Sequence, residues 1–257
     1  MIGAPFADVR TSPNFGPRRA GGSINLLLLH YTAMQSAEAA LQRLCDPIHE
    51  VSVHYLITLD GRVLQLVCES QRAWHAGRSF WAGETDINSR SIGIELDNRG
   101  DHPFSNKQMR ALIALCGDII GRHNIPAHRV LGHSDVAIGR KADPGARFDW
   151  RRLALSGAGV WPDLKTWHLN AIVEMDPVMG EDALRARAQF VKQAADYGYD
   201  PSFGLEQILS SLRQHFAPHR RGPLSRFDCT LVAALNTLCN CPCRFSRLLQ
   251  FCAENWM

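Results

Sequence analysis

Apolar residues fall in short blocks over the first two-thirds of the chain and at helical spacing over the last third. Ile24 to His30 is a compact apolar run and predicts a buried strand. Ser36 to Leu44 follows as a helix, with Ser36 placed to cap its first turn. Between Val51 and Val67 two apolar runs flank Asp60-Gly61, a strong short-range hairpin signal. Ser91 to Leu96 is another short strand, with Glu95 near its end. Asn106 to His123 places Met109, Leu112, Ile113, Leu115, Cys116, Ile119 and Ile120 at helical spacing. Val130-Leu131 leads into a Gly-bearing segment, and Trp150 to Leu155 predicts a short helix. Residues 1–22, rich in Pro, Gly and Arg without periodicity, read as an extended arm or loop, and the region from Ala73 to Asn88 reads as loop. Strands followed by helices predict an α/β fold with a central sheet.

Trp161-Pro162-Asp163 ends this first unit. Beyond it Glu181 to Gly198, Phe203 to Phe216 and Phe227 to Leu238 are helical, with no strand signal among them. The expected organisation is therefore an arm at 1–22, an α/β unit at 23–165 and a helical unit at 178–257 that carries a Cys-containing tail. A length of 257 residues, with 46% hydrophobic and 21% charged residues, is ordinary globular composition with room for a sizeable core. The net charge of +3 is spread along the chain and argues against a nucleic-acid partner. No apolar run approaches the ~18 residues of a membrane span. Met1 to Arg10 has neither a basic n-region nor an apolar h-region, so the expected location is the cytoplasm, with the cell envelope as the alternative. Without a signal, disulfides among the eight cysteines are not expected. The Cys239-Asn240-Cys241-Pro242-Cys243 cluster is spaced more tightly than ordinary zinc pairs and lacks a matching second pair.

The chemistry concentrates in the segment from Gly132 to Gly145, which holds His133, Lys141 and Asp143 among glycines. Imidazole and carboxylate are good first-row metal ligands, and catalytic zinc sites typically use three protein ligands plus water. Lys141 suits a donor aimed at charge developing on a substrate beside a metal. Read alone, the segment is equally a polar surface loop with a salt bridge. A third ligand has to come from elsewhere, and His30, at the C-terminal end of a buried strand, lies where ligands usually meet a sheet. Glu95, also near a strand end, is the best candidate for the general base. His54 in a strand setting and His75 in a loop setting compete, while His49, His102, His123 and His128 read as surface or helix-end residues.

Six separated stretches then carry a resemblance. His30-Tyr31-Thr32, Ser52 to Ile57, Ala73-Trp74-His75-Ala76-Gly77, Ser91 to Asn98, Gly132 to Asp135 and Lys141 to Gly145 resemble, in order and spacing, the type 2 zinc-dependent N-acetylmuramoyl-L-alanine amidases. That superfamily also includes phage lysozyme-type amidases and animal peptidoglycan recognition proteins. The similarity covers about residues 20–162. It implies a mixed central β-sheet flanked by helices, followed here by a small three-helix domain. It also implies one Zn2+ held by His30, His133 and Asp143, with Glu95 as acid/base and Lys141 stabilising the oxyanion. The bond cleaved would be the amide between N-acetylmuramic (or anhydro-muramic) acid and L-alanine of the stem peptide. Trp74, His75 and Asn88 are implied substrate-cleft residues, and His54 is implied to pack near the site without being a ligand. The alternative is a non-catalytic muropeptide-binding protein, but such members typically lack part of the ligand set, which is complete here. Residues 178–238, with Tyr197-Gly198-Tyr199-Asp200 and Gln214 to Pro218, bear a weaker resemblance to a three-helix peptidoglycan-binding module. The expected partner is peptidoglycan or a muropeptide, and the expected assembly state is a monomer.

Overall fold

The computed structural model of the chain describes residues 3–19, 23–162, 177–179 and 182–240. The strands in chain order are β1 (Asp8–Val9), β2 (Phe15–Pro17), β3 (Leu26–Tyr31), β4 (Tyr55–Ile57), β5 (Val63–Gln65), β6 (Gln71–Ala73), β7 (Ser91–Leu96) and β8 (Val130–Gly132). The α-helices are α1 (Ala37–Cys45), α2 (Ile87–Arg90), α3 (Asn106–His123), α4 (His133–Val136), α5 (Trp150–Leu155), α6 (Asp182–Tyr197), α7 (Leu205–Phe216) and α8 (Arg226–Asn240). Six strands form one mixed sheet in the order β1-β5-β4-β7-β3-β8, in which only β4 and β5 pair antiparallel. A small second sheet pairs β2 with β6.

Strand β3 lies inside the sheet and is covered on both faces, which is why it reads as Leu-Leu-Leu-Leu with no alternation. Leu27 and Leu29 pack with Ile92, Ile94 and Leu96 of β7 against Met109, Leu112, Leu115, Cys116 and Ile119 of α3. Leu26 and Leu28 face the other way, into a core shared with Phe190, Ala194, Tyr197, Ile208, Leu212 and Leu231 of α6–α8. Burying one such side chain contributes about 1.5–3 kcal/mol. Since side chains alternate along a strand, His30 continues the row of Leu26 and Leu28 at the strand end. Helix α3 starts at a capping box, in which Ser105 and Gln108 each accept the other's backbone N–H. Ser36 caps α1 by accepting from the Ala39 N–H.

Several elements differ from the pattern-based reading. The arm is structured: β1 pairs with β5, and β2 pairs with β6. Strand β6 and helix α2 lie in the region read as loop between Ala73 and Asn88 and just before it. These elements are two to four residues long, too short for a period to show. The segment after Gly132 opens with a helical turn, α4, although its glycines suggest loop. Of the cysteine cluster, Cys241 and Cys243 lie outside the described residues. Among the described residues, no helix is long and apolar enough to cross a membrane.

Candidate active site

Parallel pairing of β3 and β7 sets His30 directly beside Glu95, and pairing of β3 with β8 brings Gly132, the residue before His133, opposite Leu29. Asp143 reaches back to the same point, and the Ser134 N–H donates to the Asp143 carbonyl, joining the two ends of the segment. His30 Nδ1, His133 Nδ1 and Asp143 Oδ2 then converge: the two nitrogens are 3.0 Å apart, and the carboxylate oxygen is 2.8 and 3.0 Å from them. All three residues are buried, and among the described residues they are the group able to hold a metal ion. Burial, with neighbouring His133 and Lys141 adding to it, holds the His30 imidazole down to about 4, so it is neutral and offers a lone pair at neutral pH.

The hydrogen bonds around these rings decide which nitrogens are bare. Ser91 Oγ donates to the Ile87 carbonyl at 2.7 Å, so it faces His75 Nε2, 3.3 Å away, as an acceptor. His75 therefore carries its proton on Nε2, and its bare Nδ1 accepts from His30 Nε2 at 3.1 Å. That leaves His30 Nδ1 unprotonated toward the shared point. His133 Nε2 faces the Ala76 carbonyl at 3.0 Å and donates to it, which leaves His133 Nδ1 bare as well. Three acceptors thus meet with no donor between them. Ligands of one tetrahedral zinc ion, bonded at about 2.0–2.1 Å, sit roughly 3.3 Å apart, so the donor set fits a metal in type, protonation and scale. Outer partners that fix the tautomer of a ligating histidine are a usual feature of such sites.

Glu95 sits against this centre with its Oε2 buried and without a hydrogen-bond partner among the described residues. Burial pushes its carboxyl well above the usual carboxylate range, the charge of Asp143 adds to this, and Lys141 opposes it. Lys141 is exposed at the rim, close enough for its charge to act on both Glu95 and His30. Tyr31 lines the same rim: its phenol is pushed up by burial and by Asp143 and Glu95, and a Cβ on Gly145 would lie 3.4 Å from its ring.

The residues expected to line a cleft are arranged differently. His75 is bonded to His30 beneath the centre. Asn88 is buried, and its Oδ1 accepts the backbone N–H groups of His75 and Ala76 at 3.0 and 2.8 Å, so it braces the loop. Trp74 is half-buried, with its backbone N–H held by Ser52 Oγ. His54 lies apart from the three ligand atoms: its Nδ1 accepts from the Gly93 N–H and its Nε2 donates to the Gln71 carbonyl. Two contributors escaped the sequence reading. Arg140 donates to the Ala76 carbonyl at 2.7 Å, beside His133, and Arg18 of the arm donates to the carbonyls of Glu69, Asn88, Ser89 and Ser91.

Residues 20–146 match the family described as N-acetylmuramoyl-L-alanine amidase. The curated amidase AmiD of Escherichia coli is 37% identical over an alignment of 218 positions that covers 76% of this chain and 75% of that protein. The chain belongs to the N-acetylmuramoyl-L-alanine amidase family. The amidase also superposes on E. coli AmiD in complex with anhydro-N-acetylmuramic acid-L-Ala-D-gamma-Glu-L-Lys, with a TM-score of 0.75 and 35% identity over 89% of this chain and 93% of that one. AmpDh3 of Pseudomonas aeruginosa in complex with anhydromuramic pentapeptide gives a TM-score of 0.72 at 29% identity, covering 93% of this chain and 99% of that one.

Proposed function

We propose that this amidase hydrolyses the amide between N-acetylmuramic or anhydro-muramic acid and L-alanine, using one zinc ion held by His30, His133 and Asp143. The observation that carries the reading is the meeting of two bare imidazole nitrogens and a carboxylate oxygen next to Glu95. When bound, zinc supplies Lewis-acid chemistry that makes water a competent nucleophile near neutral pH.

The chain's own groups do the rest. Glu95 takes the proton of the attacking water and delivers it to the departing L-alanine nitrogen, so that the C–N bond breaks with a neutral amine leaving. A buried carboxyl with an unpartnered oxygen and a raised proton affinity suits both halves of that task. Lys141 places its ammonium where the carbonyl oxygen becomes negative. His75 and Ala76 hold the two ligating rings in their tautomers, and half-buried Trp74 is the proposed contact for the sugar or peptide.

Soluble anhydro-muramyl peptides are the proposed substrate class, because both matched complexes hold a fragment of that kind. Cytoplasmic turnover of such fragments by a monomer completes the reading; cell fractionation and light scattering test those two points. Zinc analysis combined with hydrolysis of anhydro-muramyl tripeptide, with and without chelator, tests the reaction. Stoichiometric zinc and chelator-sensitive release of the peptide are expected, and full hydrolysis by metal-free protein would refute the reading.

A further inference from the structure

The helices that follow the α/β unit reach into the segment bearing the metal ligands. Helix α7 presents Ser211, Gln214 and His215 on one face, at spacings of three and four residues. Ser211 Oγ donates to the Ser134 carbonyl at 2.8 Å, and Gln214 Nε2 donates to the Ala142 carbonyl. Ser134 directly follows His133, and Ala142 directly precedes Asp143. His215 Nδ1 donates to Asp135 Oδ2 at 2.7 Å, and Tyr199, in the α6–α7 connection, donates to Asp135 Oδ1 at 2.8 Å. Asp135 Oδ2 also accepts the Gly132 N–H at 2.8 Å, closing the helical turn on which His133 sits. Asp135, His215 and Tyr199 are all fully or nearly fully buried, and the His215 ring stacks on Trp150 with centroids 3.7 Å apart.

We infer that α7 and Tyr199 form the outer scaffold of the metal centre, setting the positions of His133 and Asp143 through Asp135 and the two neighbouring carbonyls. The inference rests on reading that centre as a metal site. Two of the three ligand atoms come from a segment with only four residues of regular structure between Gly132 and Gly145. Nothing in such a segment fixes ligand separations by itself, whereas three side chains from one face of a helix can. The carboxylate of Asp135 is the junction: it accepts one donor from its own turn, one from α7 and one from the α6–α7 connection, so displacing α7 displaces His133. His215 and Tyr199 act through Asp135 and are positioning residues.

The test uses the full chain. Zinc affinity is measured by chelator competition for the parent, for His215→Ala, for His215→Asn and for the double variant Ser211→Ala with Gln214→Ala. Loss of an outer-shell partner typically weakens metal binding on the order of 10–100-fold, and that range is expected for His215→Ala. His215→Asn restores most of the affinity, because its amide nitrogen stands near the position of Nδ1 and can donate to Asp135. The double variant leaves the buried Asp135 junction intact, so it folds even if His215→Ala does not, and it is expected to weaken zinc binding on the order of ten-fold. Retained tryptophan fluorescence and circular dichroism show that the fold persists in each variant. Parental zinc affinity in the double variant and in a folded His215→Ala would overturn the inference. Absence of zinc binding by the parent would instead overturn the metal reading itself.

Discussion

His75 Nδ1 stands 3.1 Å from His30 Nε2, so a loop residue expected to touch substrate is bonded to a proposed metal ligand instead. Its other nitrogen is anchored through Ser91 to the Ile87 carbonyl. Replacing His75 by alanine frees the His30 ring to rotate and to exchange tautomers. His75→Ala is expected to weaken zinc binding on the order of 10–100-fold, measured by chelator competition. A role confined to substrate contact would raise KM and leave zinc affinity at the parental value.

Gly93 makes room for that ring. A Cβ at position 93 would lie 2.6 Å from His75 Nδ1, closer than real contacts allow, and the residue sits within β7, where the backbone cannot move without disturbing Glu95 two places on. Gly93→Ala is expected to push His75 off His30 and to lower zinc affinity to the same degree as His75→Ala. Combining the two substitutions should add little, because both act on one contact. Additive losses in the double variant would show that Gly93 acts by another route.

The proposed site was legible in part because His30 and Glu95 lie near the ends of elements whose pattern is plain, whereas His133 and Asp143 come from a Gly-bearing segment that reads equally as a surface loop. His30 closes a run of leucines, Glu95 closes a short strand, and α3 spans the predicted Asn106 to His123. The sequence did not carry the wiring. Nothing in Ala73 to Gly77 says that His75 turns inward while Trp74 stays half-buried, since both readings fit a loop. Asp135 closes the turn after Gly132, and its use by His215 and Tyr199 depends on a packing some 64 to 80 residues away in sequence, which no local pattern shows. Residues 1–22 read only as an extended arm or loop because β1 and β2 are short and because Arg18 works largely through main-chain carbonyls, which no residue pattern encodes.

Glu69 should contribute to the loss of stability in acid. Its buried carboxylate accepts from Tyr55, Arg122 and His123, and although burial alone would raise its pKa, these bonds hold it down to about 2. An unfolded glutamate titrates near 4.3. The folded state therefore binds this proton less readily than the unfolded chain does. The stability it contributes is fully present above that unfolded value and is lost as pH falls toward 2. Glu69→Gln is expected to cost about 3–5 kcal/mol at pH 7, as when one partner of a buried ion pair is removed, and to flatten the fall of Tm between pH 5 and 3. Thermal and denaturant melts of both proteins across that range measure the two effects, and an unchanged pH slope in the variant would rule Glu69 out as the titrating group.

Glu95 and Lys141 should separate from the ligands in kinetics. Glu95→Gln keeps the side-chain volume and removes the proton acceptor, so hydrolysis of anhydro-muramyl tripeptide should fall on the order of 10²–10⁴-fold with zinc still bound. Lys141→Met keeps the stem and removes the charge. Because that charge is used where the oxyanion forms, kcat should fall on the order of 10²–10³-fold with little change in KM. His133→Ala, by contrast, should lose zinc and hydrolysis together. The three variants are compared by metal analysis on the purified protein and by initial rates over a range of substrate. Parental turnover in Glu95→Gln would remove Glu95 from the proton path. A rise in KM without loss of kcat in Lys141→Met would move Lys141 from the oxyanion to ground-state binding, as its exposed position at the rim would also permit.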